Sequence, residues 1–191
     1  MPADGNFNID SNNSEEFYVF SGGGDSRDFK TLIQAVKGLD QKLKIVTFSP
    51  KYLGYNDALP ENCDIFWRMP LSDFLKFMKD SAFVVVPLQK GNWPHGQTTV
   101  VQALCCGKAV ISNSDASVED YITNGKEGLL VPAGDIHACQ QAILRISNDH
   151  DFRKKCEINA KMKAQELTYQ NFSNQLITLC KEVLNENSSI K

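Results

Sequence analysis

The sequence predicts an α/β protein built on a doubly wound parallel sheet, since short apolar runs alternate with stretches of helical periodicity. The run at 82–87 is apolar on both faces, which is typical of a central parallel strand covered by helices on both sides. Apolar residues make up 42% of the 191 residues, an ordinary share for a globular domain with its own core.

Six strands are expected, most of them stopped by glycine, proline or polar residues. Their positions are 17–20, 43–48, 64–67, 82–87, 109–111 and 128–131. Helical patterns follow most of these runs, so helices are expected to connect successive strands. Such helical crossovers are what parallel strands require.

The helices are predicted from apolar residues at helical spacing and from capping residues. Phe29, Leu32, Ile33 and Val36 form the apolar face of the first helix, which Asp25 or Ser26 can cap. Ser72 is expected to cap a second helix over 73–79, and a third helix is expected to begin near 96.

The remaining helices belong to the C-terminal part of the chain. A short helix is predicted near 118–122, and Asp135 is expected to begin a helical tail over 136–147, 151–167 and 172–184. We therefore expect a flexible polar leader over 1–15 and a single domain over 16–191 with a helical C-terminal extension.

Composition and charge exclude several classes of protein. The longest apolar runs are far below the ~18 residues that span a bilayer, and the polar start carries no signal-peptide pattern. A cytoplasmic protein without a transmembrane segment is expected. The net charge of -3 arises from interspersed acids and bases, without the basic stripe typical of nucleic-acid binding.

The six cysteines lack a Cys-Xaa-Xaa-Cys pair and most lie in apolar segments, so free buried thiols are expected. The three histidines lack ligand spacing with any cysteine pair, and no metal site is predicted.

The first of three unusual loops is the glycine turn at 21–24, with Arg27 just beyond it. Glycines let backbone amides approach an anion, and Arg27 can reach across to it. The alternative is a tight turn with a solvated arginine. The spacing is not Gly-Xaa-Gly-Xaa-Xaa-Gly and no acidic residue ends the second strand, which disfavours an ordinary NAD site.

The second loop, 91–99, follows the most apolar strand and leads into a helix. Free amides at the helix start and the hydroxyls of Thr98 and Thr99 can hold diphosphate or sugar oxygens. His95 can donate to an oxyanion, although a lone loop histidine is more often incidental. The third loop, 112–117, indicates by itself only a turn and a cap.

Two segments, "HGQTTVVQALCCGKAVISNSD" and "VEDYITNGKEGLLVPAGD", resemble in order and spacing the signature of the C-terminal domain of GT-B glycosyltransferases of the retaining group 1 type. The resemblance extends from about 17 to 184. It implies a donor-binding domain for a nucleotide-diphospho-sugar such as a UDP- or GDP-sugar, with no cofactor. The implied enzyme is a hexosyltransferase of polysaccharide biosynthesis that transfers the sugar to an acceptor with retention.

The resemblance also implies site residues. Gly23, Gly24 and Arg27 would lie near the diphosphate, and the base would lie near Arg68 and Met69. The other donor contacts would come from His95, Gly96, Gln97, Thr98, Thr99 and Gln102. His95 and Arg27 are the candidates for a catalytic role, and no further catalytic residue is predicted.

Two glutamates that the family places eight residues apart are missing. Gln102 stands at the second position, which touches the ribose, and Pro94 stands at the first, which touches the transferred sugar. A glutamine still donates and accepts hydrogen bonds, whereas a proline cannot replace a carboxylate. Either His95, Gln97 and Thr98 take over the sugar contacts, or activity is weakened or lost. Alternatively, Gln102 makes only a structural hydrogen bond.

Enzymes of this family also carry an N-terminal domain with the acceptor site, for which the residues before 17 are too few. We therefore expect a fragment, one half of a split enzyme, or a donor-binding module. The expected partner is an N-terminal GT-B domain or a separate subunit, through which any membrane attachment would occur. Two alternatives are a non-catalytic nucleotide or nucleotide-sugar binding module and an unrelated α/β enzyme such as an epimerase.

Overall fold

The computed structural model describes residues 17–91, 95–114 and 116–188. In these ranges six parallel strands form one sheet: β1 (Tyr18–Gly22), β2 (Lys42–Thr47), β3 (Cys63–Trp67), β4 (Phe83–Val86), β5 (Val110–Asn113) and β6 (Gly128–Val131). The spatial order is β3-β2-β1-β4-β5-β6. The chain begins at the centre, builds one half of the sheet outward and then builds the other half, which confirms the predicted doubly wound class.

Helices cover both faces of the sheet. They are α1 (Phe29–Val36), α2 (Leu71–Asp80), α3 (Gln97–Cys105), α4 (Ala116–Glu119), α5 (Ile136–Asn148), α6 (His150–Glu166) and α7 (Tyr169–Ser188). Residues of α1 and α5 pack with one face of the sheet, and residues of α2, α3, α4 and α6 pack with the other. All four β4 residues are buried, as the two-sided apolar pattern predicted.

The predicted starts of α1 and α2 are wrong. The cap of α1 is Asp28, whose carboxylate accepts from the Thr31 N–H at 3.1 Å, and neither Asp25 nor Ser26 serves as the cap. Helix α2 begins at Leu71 after Pro70, before the expected Ser72. Asp25, Ser26 and Asp28 can all cap α1, whereas the residue at the N-cap of α2 is Pro70, which makes no side-chain capping bond.

Other helix predictions hold with small shifts. Helix α4 covers 116–119, two residues earlier than expected, and the helical tail comprises α5, α6 and α7 with Asp135 capping α5. The apolar face predicted for α1 is completely buried. Gly128 at the start of β6 lies so close to β5 that a Cβ there would collide with the backbone of Val110.

All six cysteines are free; Cys63, Cys139 and Cys156 are buried as predicted, whereas Cys105 and Cys106 are half-buried and Cys180 is exposed on α7. Burial raises the pKa of the Cys63 and Cys139 thiols to about 12, so both are protonated at neutral pH. Among the helices that the structure describes, none has the length and apolar character to cross a membrane.

Candidate functional site

The sheet reverses its direction of growth between β1 and β4, which is where open α/β sheets leave a crevice at their carboxyl edge. The loops that leave β1, β4 and β5 meet there. Arg27 forms an isolated backbone bridge with Leu88, and the Leu88 N–H donates to the side chain of Asn113. The Ser117 hydroxyl donates to the His95 carbonyl at 3.1 Å. The three loops singled out in the sequence therefore converge.

Arg27 is buried beneath the carboxyl edge of the sheet and does not extend into solvent. Its side chain is buried, and its Nε donates to the Gly22 carbonyl at 3.2 Å. Its Nη2 donates to the Thr99 hydroxyl at 2.9 Å, across 72 residues of sequence. The guanidinium thus links the glycine turn to the first turn of α3, and the alternative of a solvated arginine is wrong.

The charge of Arg27 is buried without a counterion in the described part of the chain. Burial lowers the pKa of its guanidinium to about 10, so the group remains protonated at neutral pH. Its hydrogen-bond acceptors are a neutral carbonyl and a neutral hydroxyl. A buried cation without a carboxylate is energetically costly, and an anion bound nearby would offset that cost.

Gly23 leaves room for the Arg27 side chain but does not offer its N–H to a ligand. Its φ of 133° is one that side chains rarely adopt, and a Cβ would lie 2.7 Å from the Arg27 Nε. Its N–H already donates to the Val46 carbonyl at 3.0 Å. The sequence-based expectation that this amide faces an anion therefore does not hold for Gly23.

Helix α3 starts at Gly96, which has a φ of 89° and lies against Leu88. A Cβ at this position would be 2.7 Å from the Leu88 Cδ2. The N–H groups of Gln97, Thr98 and Thr99 have no acceptor within the helix, as at every helix start. The first turn of α3 adjoins the buried guanidinium through the Thr99 hydroxyl, and the positive end of the helix together with this charge favours an anion.

A cavity of about 370 Å³ opens next to this junction. It is lined by Gly23, Val46, Thr47, Phe48, Met69, Leu71, Phe74, Thr99 and Gln102. Thr99 and Gln102 are one turn apart on α3 and face the same space. Of the predicted donor-binding residues, the structure brings Gly23, Met69, Thr99 and Gln102 together here.

The other predicted residues lie around this cavity or away from it. Gln97 and Thr98 line a separate groove of about 450 Å³ next to Tyr121 and the last two helices. The His95 Nε2 is 3.2 Å from the Gln89 carbonyl oxygen. Gly24 packs against the Phe48 ring, and the Arg68 Nε is 3.4 Å from the Phe48 carbonyl. Pro94 lies outside the described residues, so its role stays a prediction.

Sequence reasoning missed the cavity residues at the carboxyl end of β2, Thr47 and Phe48. Thr47 is buried, and its hydroxyl has no hydrogen-bond partner in the described structure. The side chain of the next residue, Phe48, is 58% exposed at the cavity. Their position at the carboxyl end of a strand indicates the region of a site, but the sequence did not show that this strand pairs with β1 and that these side chains face the cavity.

These features define a Rossmann-like α/β domain with a cavity at its switch point. The chain belongs to the glycosyl transferases group 1 family, whose model matches residues 6–163. The resemblance of the two long segments to group 1 glycosyltransferases is thereby confirmed.

One curated protein is similar to this chain in sequence, and two solved structures share its fold. An uncharacterized glycosyltransferase of Methanocaldococcus jannaschii is 22% identical over 143 residues, which are 73% of this chain and 40% of the relative. Sucrose-phosphate synthase from Thermosynechococcus elongatus superposes with a TM-score of 0.72 at 19% sequence identity. The match covers 90% of this chain and 46% of the synthase. The structure of Anabaena HepE in complex with UDP-glucose superposes with a TM-score of 0.70 at 16% sequence identity. The match covers 87% of this chain and 49% of HepE. The chain thus spans less than half the length of these proteins.

Proposed function

We propose that this chain is the donor-binding domain of a retaining glycosyltransferase and binds a nucleotide-diphospho-sugar at the Arg27–α3 junction. The observation that carries the proposal is the buried Arg27 guanidinium, which has no carboxylate partner among the described residues and joins the glycine turn to the start of α3. Membership of the family supports it, as does the fold shared with a protein solved in complex with UDP-glucose.

The proposed pose places the diphosphate at the Gly24 turn and the amides of the first turn of α3, above Arg27. The ribose then reaches Gln102, which can donate to and accept from its hydroxyls. The base lies toward Met69, near Arg68. The sugar lies toward His95 and the first α3 residues, Gln97 and Thr98.

In this pose the domain acts by electrostatic stabilisation. As the bond between the sugar and the diphosphate breaks, negative charge develops on the departing diphosphate. The positive end of α3 and the Arg27 charge are already in place to stabilise it. No nucleophile from this domain is needed, and the acceptor comes from elsewhere.

The proposed partner is an N-terminal domain or a separate subunit that holds the acceptor. The chain spans 46% and 49% of the two solved structures named above, which supports this part of the proposal. Apolar side chains on α7 that are half or more exposed support it too; they include Phe172, Leu176 and Leu179. The whole enzyme would then be a hexosyltransferase of polysaccharide biosynthesis.

Calorimetric titration with UDP, GDP, UDP-glucose and GDP-mannose tests the proposal. Saturable binding of at least one nucleoside diphosphate is expected, and binding of none of the four would contradict it.

A second candidate is a non-catalytic nucleotide or nucleotide-sugar binding module. The observation that favours it is Gln102, an amide that lines the cavity where the family has a carboxylate. Titration alone does not distinguish the two candidates. Sugar transfer after addition of candidate N-terminal halves supports the enzyme, and nucleotide binding without transfer in any such mixture supports the module.

A further inference from the structure

The exposed aromatic ring of Phe48 lines the cavity. The Phe48 side chain is 58% exposed, whereas Val46 and Thr47 directly before it are 4% and 2% exposed. An exposed phenylalanine directly after a central strand does not contribute to the core. Its ring is nevertheless part of the cavity wall.

The glycine turn supports this ring from below. A Cβ on Gly24 would lie 2.9 Å from the Phe48 Cδ2, so the ring packs directly on the backbone of Gly24. The backbone at Gly24 is not in the left-handed region, in contrast to Gly23. The absence of a side chain at Gly24 therefore matters for the ring and not for the turn.

The cavity is apolar on one side and polar on the other. Met69, Leu71 and Phe74, from the β3–α2 connection and α2, supply apolar surface next to Phe48. Thr99 and Gln102, both on α3, supply the polar groups. A ligand with a flat, weakly polar ring at one end and hydroxyls and phosphates at the other matches this division, as a nucleotide does.

We infer that Phe48 stacks on the nucleobase of the donor and fixes which end of the nucleotide enters the cavity, with Gly24 keeping its ring in place. The inference rests on the proposed function and adds the residue that recognises the base. Aromatic stacking tolerates different bases because every base has a π-face, so Phe48 contributes affinity and orientation rather than choice between uracil and guanine.

The test compares UDP with pyrophosphate, which lacks the base and the ribose, on the full chain. Phe48→Ala is expected to weaken UDP binding about 5-fold or more, the lower end for loss of one base–aromatic stack. Binding of pyrophosphate, measured by displacement of UDP, should be unchanged. Phe48→Tyr keeps the ring and should bind UDP within about twofold of the wild type.

A matched control uses a phenylalanine of similar exposure elsewhere. Phe17 is 43% exposed and directly precedes β1, so it lies at the amino edge of the sheet, opposite the cavity, and Phe17→Ala should leave both affinities unchanged. Gly24→Ala should also weaken UDP binding by displacing the ring. Its effect should largely disappear in the Phe48→Ala background, since the two residues act through one contact.

The outcomes separate this inference from the proposed function. If the wild type binds neither UDP nor pyrophosphate, the proposed function fails, and the inference fails with it. If the wild type binds UDP and Phe48→Ala binds it equally well, the inference alone is wrong. It is also wrong if Phe48→Ala weakens pyrophosphate as much as UDP, because the ring then acts on the phosphate site or on the fold.

Discussion

Arg27 shows how a residue can be identified correctly while its environment is not. The sequence indicated an arginine beside a glycine turn that reaches toward an anion. The structure has its guanidinium buried beneath Gly23, with hydrogen bonds to Gly22 and Thr99. Arg27 therefore places a positive charge at the site and also joins the glycine turn after β1 to the first turn of α3.

The charge of Arg27 leads to a first prediction. Arg27→Ala should weaken binding of a nucleoside diphosphate by about 1.5–3 kcal/mol, the range for a hydrogen bond to a charged group. Arg27→Lys, which keeps the charge, should recover part of this loss. Titration calorimetry below the unfolding temperature of each variant measures both. The control is Arg145→Ala on α5, which should bind as the wild type does; equal affinity of Arg27→Ala and the wild type would remove Arg27 from the site.

Thr98 and Thr99, neighbours on α3, allow a matched comparison of two substitutions by their effect on the free energy of unfolding. The Thr99 hydroxyl accepts from Arg27 in a buried contact, whereas Thr98 is exposed on the groove side. Thr99→Val should lower the free energy of unfolding by about 1.5–3 kcal/mol, because a buried charged donor loses its acceptor. Thr98→Val should change it by less than about 0.5 kcal/mol. Thermal unfolding of both variants is the measurement, and equal effects would show that the Arg27–Thr99 bond contributes nothing specific.

At the scale of elements, the strands could be predicted closely, and the helix starts could not. Apolar runs bounded by glycine and proline indicated all six strands, because burial on both faces leaves a continuous apolar pattern. The start of α1 was misplaced since Asp25, Ser26 and Asp28 can all cap a helix. The backbone bridge between Arg27 and Leu88 fixes the loop so that Asp28 becomes the cap, and that contact lies 61 residues away in sequence.

The same limit applies to the site. Thr99 and Gln102 could be found because they lie within the first of the two segments that carry the family resemblance. Val46, Thr47 and Phe48 could not, since they enter the cavity only through the pairing of β1 with β2. The carboxyl-edge rule indicates where such residues lie, but it does not indicate which side chains face the ligand.

The start of α3 gives a prediction at this scale. Gly96 has a left-handed conformation against the buried Leu88 side chain, and Gly96→Ala should destabilise the fold by at least about 1 kcal/mol. Gly91→Ala is the control, because among the described residues beyond its chain neighbours no atom lies closer than 3.8 Å to a Cβ at that position, and its φ is outside the left-handed region. Urea unfolding of the two variants should separate them. Equal stability would show that the start of α3 does not depend on a glycine.

At the scale of the whole molecule, the chain corresponds to 40% of its relative from Methanocaldococcus jannaschii. We predict that the purified chain binds a nucleotide but transfers no sugar alone, because the contacts of an acceptor domain cannot be replaced from within this one. Incubation with UDP-glucose and simple sugar acceptors, with product detected by mass spectrometry, tests this. Robust transfer by the chain without a partner would contradict the division of roles proposed here.

The central claim is that a nucleoside diphosphate binds at the carboxyl edge of the sheet, between the glycine turn and α3. Titration of the isotope-labelled chain with UDP, followed by amide chemical shifts, tests it most directly. The account predicts that the largest changes occur at Gly24, Met69, Thr99 and Gln102, with the α5 amides unaffected. Changes confined to the groove between α3 and the last two helices, or no change with either UDP or GDP, would contradict it.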